Sequence, residues 1–193
     1  QLIYLNRPKQ FTGKGALMLY GPYVFVVLLT AVTSLWVNKW QLASTNTTTL
    51  GYLVLLAIVV GMVEELIFRG ILLRAWSTKG VVTAVIITSA LFGLVHLSQL
   101  MGEQTGVMTF LQMAFAVFFA VVSAQLVFIT GSILPTILLH ILFDGVQLIT
   151  TDPTATNTAD VSLNPIALTT TIIIVITFIA VAVYQQKRLP KTV

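Results

Sequence analysis

Both histidines and three of the six acidic residues of this chain fall in three short clusters: Glu64-Glu65-Leu66-Ile67-Phe68-Arg69, Phe92-Gly93-Leu94-Val95-His96 and His140-Ile141-Leu142-Phe143-Asp144. Each cluster interrupts an otherwise apolar run. A charged side chain at the centre of a bilayer costs about 2.5–3.5 kcal/mol on insertion scales, so ionisable residues there point to function. Glu65 and Arg69 are four apart and share a helix face, where they can form an ion pair. Phe92 and His96 have the same spacing, as do His140 and Asp144, so Asp144 can brace His140 or point with it at one ligand. Glu64 is rotated about 100° from Glu65 on a helix, and the two carboxylates need not share a partner.

Two kinds of chemistry suit this set. In the first, a carboxylate in apolar surroundings takes a proton from water, a histidine orients that water, and a second histidine with a polar neighbour stabilises the developing oxyanion. In the second, two histidines and one or two carboxylates hold zinc with a position open for water; His96, His140 and Glu64 are the candidate ligands. The spacing does not choose between them. The HExxH helix motif of soluble zinc proteases is absent, as is GxSxG, and Ser77, Ser89, Ser98 and Ser132 have no base beside them in sequence. The chain has no cysteine, which removes disulfides, thiolate metal sites and a cysteine nucleophile. Taken singly, Glu65–Arg69 reads as an interfacial ion pair, His96 as a hydrogen-bonded core residue and His140–Asp144 as a structural clamp. Their joint occurrence on three apolar segments argues for one polar site inside a helix bundle.

The elements that position them read as membrane spans. Of 193 residues, 57% are hydrophobic and only 8% charged, with mean hydropathy +0.98; a soluble domain carries about 25% charged residues. Spans of about 20 apolar residues are predicted at 17–37, 50–76, 81–101, 107–130, 132–149 and 165–184. The runs are continuous rather than alternating, which predicts an all-α polytopic bundle of about six spans and not a barrel. Residues 1–193 read as a single membrane domain, with residues 50–149 as the core that carries the clusters. Counted along the spans, Glu64 is predicted in the cytoplasmic half of span two and His96 in the outer half of span three, so that tilt, a shifted span start or a re-entrant segment is needed to bring them level. Gly61, Gly70 and Gly93 are expected to permit close helix contact. Phe110, Phe115, Phe118 and Phe119 read as packing or lipid-facing surface rather than a prenyl groove. Gln1 in place of Met fits a fragment or a processed product, and no cleavable signal peptide is evident.

The basic residues predict the orientation. With both termini in the cytoplasm, Arg7, Lys9, Lys14, Arg69, Arg74, Lys79, Lys187, Arg188 and Lys191 fall on the inner side and Lys39 alone lies outside, while Glu103, Asp152 and Asp160 face outward. Residues 41–49 and 151–163 become external loops. The sequon Asn46-Thr47-Thr48 lies in the first of these, and carries no meaning in a bacterial protein. The net charge of +4 comes from a few residues at span ends, which is no nucleic-acid footprint.

The ordered set EExxxR, FxxxH and HxxxD, each on its own predicted span, resembles the CPBP family of intramembrane proteases, which includes the CAAX prenyl endopeptidases and the bacterial bacteriocin-processing or self-immunity (Abi) proteins. The resemblance covers about residues 50–149. It implies Glu64 as the general base that activates the attacking water, His96 as its assistant, Glu65 and Arg69 as support, His140 and Asp144 on the oxyanion side, and Phe92 as a packing neighbour. Asp144 departs from the Asn typical of the CAAX endopeptidases. An ionised Asp cannot donate to an oxyanion; a protonated one can, and either can orient His140 or ligate a metal. The expected function is therefore an intramembrane endopeptidase of a bacterial plasma membrane. Its substrate would be a membrane-associated peptide: a lipidated C-terminus, or a bacteriocin or signal-peptide leader. The alternatives are a non-catalytic scaffold or bacteriocin immunity protein, and an ion-coupled transporter, against which no inverted repeat is visible.

Overall fold

A computed structural model describes residues 9–37, 42, 46–101, 106–150 and 165–190. Arg7, Lys39, Glu103, Asp152, Asp160, Lys191 and the predicted loop at 151–163 lie outside these. Among the described residues the chain forms six helices and no strand: α1 Lys14–Val37, α2 Thr47–Ser77, α3 Val81–Val95, α4 Gly106–Thr130, α5 Leu134–Thr150 and α6 Pro165–Gln186. Within α2, the segment Leu66–Leu72 is wound as a π-helix. A 3₁₀ turn, His96–Met101, follows α3.

The boundaries have local causes. The Asn46 side chain accepts from the backbone N–H groups of Thr48 (2.8 Å) and Thr49 (3.3 Å), so it caps α2. Gly80, at φ 109°, makes the turn between α2 and α3 in a conformation that a side chain would strain. Gly131, at φ 72°, ends α4, with its N–H on the carbonyl of Val127 at 2.7 Å. Pro135 then occupies the first turn of α5, where a missing N–H costs nothing.

Five of the helices are long and apolar enough to span a bilayer. The sixth, α5, has 17 residues; at 1.5 Å per residue it extends about 26 Å, just short of a hydrocarbon core of about 30 Å. Leu17, Leu28, Ile86, Leu138 and Val183 project outward, each more than half exposed. An apolar exterior over a bundle that buries its polar groups is the arrangement of an integral membrane protein.

Packing follows the glycines. α5 lies along α2, and α3 and α6 lie along α4, with α1 across α5 and α6. At Gly61 an added Cβ would sit 2.9 Å from Ile141 Cγ1 and 3.1 Å from the Ile141 backbone nitrogen, so α2 and α5 meet through a missing side chain. Gly93 gives α3 the same approach to Val117 and to the carbonyl of Met113 on α4. Gly70, also expected at a contact, is buried in the π segment. A matched pair of variants isolates the packing effect. Gly51 faces open space, so Gly51→Ala is expected to stabilise α2 by up to about 1 kcal/mol. Gly61→Ala is expected to destabilise by about 1–3 kcal/mol through overpacking. Thermal unfolding in detergent checks the opposite signs.

One end of the bundle is basic. The Lys9 N–H donates to the Thr130 carbonyl at 2.9 Å. Gly80, Val81, Gln186 and Pro190 line a common cleft, and Val81 and Ile133 share one buried cluster against which Leu189 packs. The amino-terminal segment, the α2–α3 turn, the α4–α5 turn and the carboxyl-terminal segment therefore lie together, and with them Lys9, Lys14, Arg74, Lys79, Lys187 and Arg188. Arg69, counted with this end from sequence, is not part of it: only 1% of its surface is exposed, and it faces the bundle interior.

Candidate active site

His140 sits where the clusters converge. It projects from α5 with 7% of its side chain exposed, and both carboxylates of the Glu64-Glu65 pair reach it from α2. Glu65 Oε1 lies 3.0 Å from His140 Nδ1, and Glu64 Oε2 lies 3.7 Å from Nε2. The 100° offset that allowed the carboxylates separate partners instead places them on opposite nitrogens of one imidazole. Asp144, one turn along α5, places Oδ2 3.4 Å from Nε2. An ionised carboxylate only accepts hydrogen bonds, so Nδ1 carries the proton shared with Glu65, and Nε2 is the atom turned toward Glu64 and Asp144.

The Glu65 carboxylate is fully buried and also pairs with Arg69, with Nη1 at 3.0 Å from Oε1. Among the described residues, Glu65 Oε2 and Arg69 Nη2 have no hydrogen-bond partner. The guanidinium is instead covered by aromatic faces: Arg69 Cζ stands 4.4 Å from the Phe92 ring centroid and 5.9 Å from that of Phe119. The negative faces of the rings offset part of the cost of keeping this cation out of water. The π winding of Leu66–Leu72 buries Phe68, Arg69 and Gly70 consecutively, where an α-helix would show a single narrow stripe.

Phe92 links the third cluster to the other two. Its ring lies 5.2 Å from that of His96, 6.0 Å from His140 and 4.9 Å from Phe68. The His96 ring Nδ1 is 2.9 Å from the Phe92 carbonyl; a carbonyl accepts, so Nδ1 donates and Nε2 keeps its lone pair. Glu64, Glu65, Arg69, His140 and Asp144 are thus joined by direct polar contacts, whereas no ion pair or hydrogen bond ties His96 to them among the described residues. Despite the offset in depth counted from sequence, Phe92 brings His96 near the rest of the set: its ring lies against both His96 and His140, and Glu64 Oε2 is 3.7 Å from His140 Nε2.

Phe119 is the neighbour that sequence reasoning passed over. It packs, as the aromatic run on α4 suggested, but its ring lies 5.0 Å from His140 and it shares Arg69 with Phe92. No motif marks it, and its only sequence signal is membership of that run. Phe115 stacks on Phe143 beside it, while Phe110 faces outward.

The zinc reading fares differently. Among the described residues no three His, Asp or Glu side chains are placed to hold a metal ion. His140 Nδ1 is taken by Glu65, and the Phe92 ring packs against both His96 and His140. The proposed ligands His96, His140 and Glu64 do not form a coordination set in this arrangement, and no step below passes through a metal.

Residues 46–146, just over half the chain, match the family model of the type II CAAX prenyl endopeptidases, Rce1-like. The chain belongs to this Rce1-like family. No curated protein and no solved structure matches it. The Rce1-like match begins at the Asn46 cap and ends within α5, so it contains all three clusters and leaves out α1 and α6. At family level the protein is a membrane-embedded protease of the CAAX type, a hydrolase, as the resemblance implied.

Proposed function

We propose that this protein is an intramembrane endopeptidase in which Glu64 activates the attacking water. The observation that carries the reading is the asymmetric hold on His140: a fully buried ion pair fixes Nδ1, while two partly exposed carboxylates face Nε2. Glu64, with 30% of its side chain exposed, is the member of the Glu64-Glu65 pair that water can reach. It removes a proton from water as the oxygen attacks the carbonyl carbon of the scissile peptide. His96, with its Nε2 lone pair free, orients that water. The carbonyl oxygen takes up the electron pair and is stabilised by N–H donation from His140 in its doubly protonated form, with Asp144 balancing the charge. Collapse of the tetrahedral intermediate re-forms the carbonyl and breaks the C–N bond, and the proton held by Glu64 passes to the leaving amine.

The substrate is a membrane-associated peptide, and residues 50–149 form the catalytic core of a single membrane domain. Both termini lie in the cytoplasm, since the basic end of the bundle is the inner one. A non-catalytic scaffold or immunity protein would not need His140 Nδ1 fixed by a buried carboxylate while two reachable carboxylates face Nε2. The test is cleavage of a panel of prenylated and leader-type fluorogenic peptides by protein purified in detergent. Wild type is expected to cleave at least one of them, to retain that activity in a strong chelator, and to lose it on His140→Ala. Full activity of His140→Ala would dismiss this use of the site, and chelator sensitivity would restore the metal.

A further inference from the structure

α1 and α6 lie outside the family match at 46–146, yet their side chains reach the helix that carries Phe119. The Tyr23 hydroxyl of α1 donates to the Val122 carbonyl of α4 at 2.9 Å. Gln185 of α6 donates from Nε2 to the same hydroxyl oxygen at 3.2 Å. Tyr23 is 3% exposed, and Val122 and Gln185 are wholly buried. The Val122 carbonyl sits inside α4, where it also serves the helix's own ladder. The tyrosine therefore takes a second lone pair, and its bond fixes α4 against α1 and α6 rather than completing α4 itself.

Packing alone would be better served by apolar residues here. Among the described residues Gln185 Oε1 has no hydrogen-bond partner, and a buried polar atom left unpaired costs about 1–3 kcal/mol. What the polar pair adds is a fixed position. Phe119 is three residues before Val122 and shares its helix face. Tyr23 and Phe119 line one small cavity with Val26, Phe143 and Phe178, about 10 Å³, with room for no more than one water. The Phe178 ring stands 6.4 Å from that of Tyr23 and 6.2 Å from that of Phe119. Phe119 in turn meets the His140 ring at 5.0 Å and Arg69 Cζ at 5.9 Å. Ring–ring contacts are worth only about 0.5–1.5 kcal/mol and tolerate several arrangements, whereas a hydrogen bond to the backbone has a defined length and direction.

We propose that Tyr23 is a positioning residue for the hydrolytic site: by holding α4 at Val122 it sets Phe119 against His140 and Arg69, and Gln185 holds Tyr23 in that role. The link to hydrolysis rests on the proteolytic reading, but the positioning itself is measured without turnover.

The chain holds only two histidines, so protein carrying ring-¹³C histidine and purified in detergent gives one set of ring signals for each, and His140→Ala tells them apart. The Phe119 ring lies close enough to His140 to shift its signals, while His96 lies against Phe92 and serves as the control. Tyr23→Phe keeps the ring and removes only the hydroxyl. It is expected to move the His140 signals and leave those of His96. It is also expected to lower kcat for peptide cleavage roughly ten- to a hundredfold with KM little changed, the scale of a small misplacement made away from the chemistry. In a Phe119→Leu background the same substitution is expected to add nothing to either readout. Unmoved His140 signals in Tyr23→Phe, an equal movement in the Phe119→Leu background, or cleavage at the wild-type kcat overturns the proposal. A lowered melting temperature beside unmoved signals would assign the network to the fold alone. Should Tyr23→Phe fail to accumulate in the membrane, Gln185→Met, which withdraws the donor from the Tyr23 oxygen, is read the same way, with a smaller movement expected. If the His140 signals move as expected and wild type cleaves no peptide, the proteolytic reading fails while the positioning stands.

Discussion

Glu64→Gln is expected to reduce peptide cleavage on the order of a hundred- to ten-thousandfold, the usual contribution of a positioned general base, and to leave the bundle folded. The two halves of that expectation have separate causes. The amide keeps the size and shape of the carboxylate but cannot take a proton from water. Its removal costs the fold little, because the side chain is 30% exposed and its nearest charged contact is 3.7 Å away. Unchanged cleavage by Glu64→Gln, measured beside an unchanged melting temperature, would remove Glu64 from the chemistry and favour the scaffold reading.

Glu65, the next residue, is expected to behave in the opposite way. Glu65→Leu leaves the Arg69 guanidinium buried with no anion, and breaking a buried pair from one side costs about 3–5 kcal/mol. The loss should appear as a large fall in melting temperature. Replacing both partners, as Glu65→Leu with Arg69→Met, removes the stranded charge along with the pair, and such exchanges are often neutral or stabilising. The double variant is therefore expected to recover most of the stability while remaining impaired in cleavage, because His140 Nδ1 has lost the acceptor that held it. A single variant as stable as wild type would show that the pair does not bear on the fold. A fully active double variant would show that it does not bear on His140.

The contrast between these neighbouring glutamates marks where sequence reading stops. EExxxR shows that two carboxylates stand beside a basic residue one turn away, and helical periodicity makes Glu65–Arg69 the pair. Periodicity alone cannot tell that the pair is sealed from water while Glu64 is not. That depends on Phe92 of α3 and Phe119 of α4 covering Arg69, and no local pattern on α2 encodes its neighbours. For the same reason Arg69 looked like one more basic residue at a span end: hydropathy counts charge along the chain, whereas burial depends on which helices arrive around it.

The sequence by itself determined the membrane class, the helical architecture, the family and the identity of the polar residues, because composition, apolar run length and residue type are properties of the chain at short range. It also marked Gly61 and Gly93 as positions where backbones can meet, while the helices that meet there, α2 with α5 and α3 with α4, are seen in the structure. Only the tertiary structure shows that both glutamates reach one imidazole from opposite sides, that Phe92 lies against both His96 and His140, and that Phe119 packs on His140. Each of these is a distance between helices far apart in sequence, fixed by the way their side chains pack.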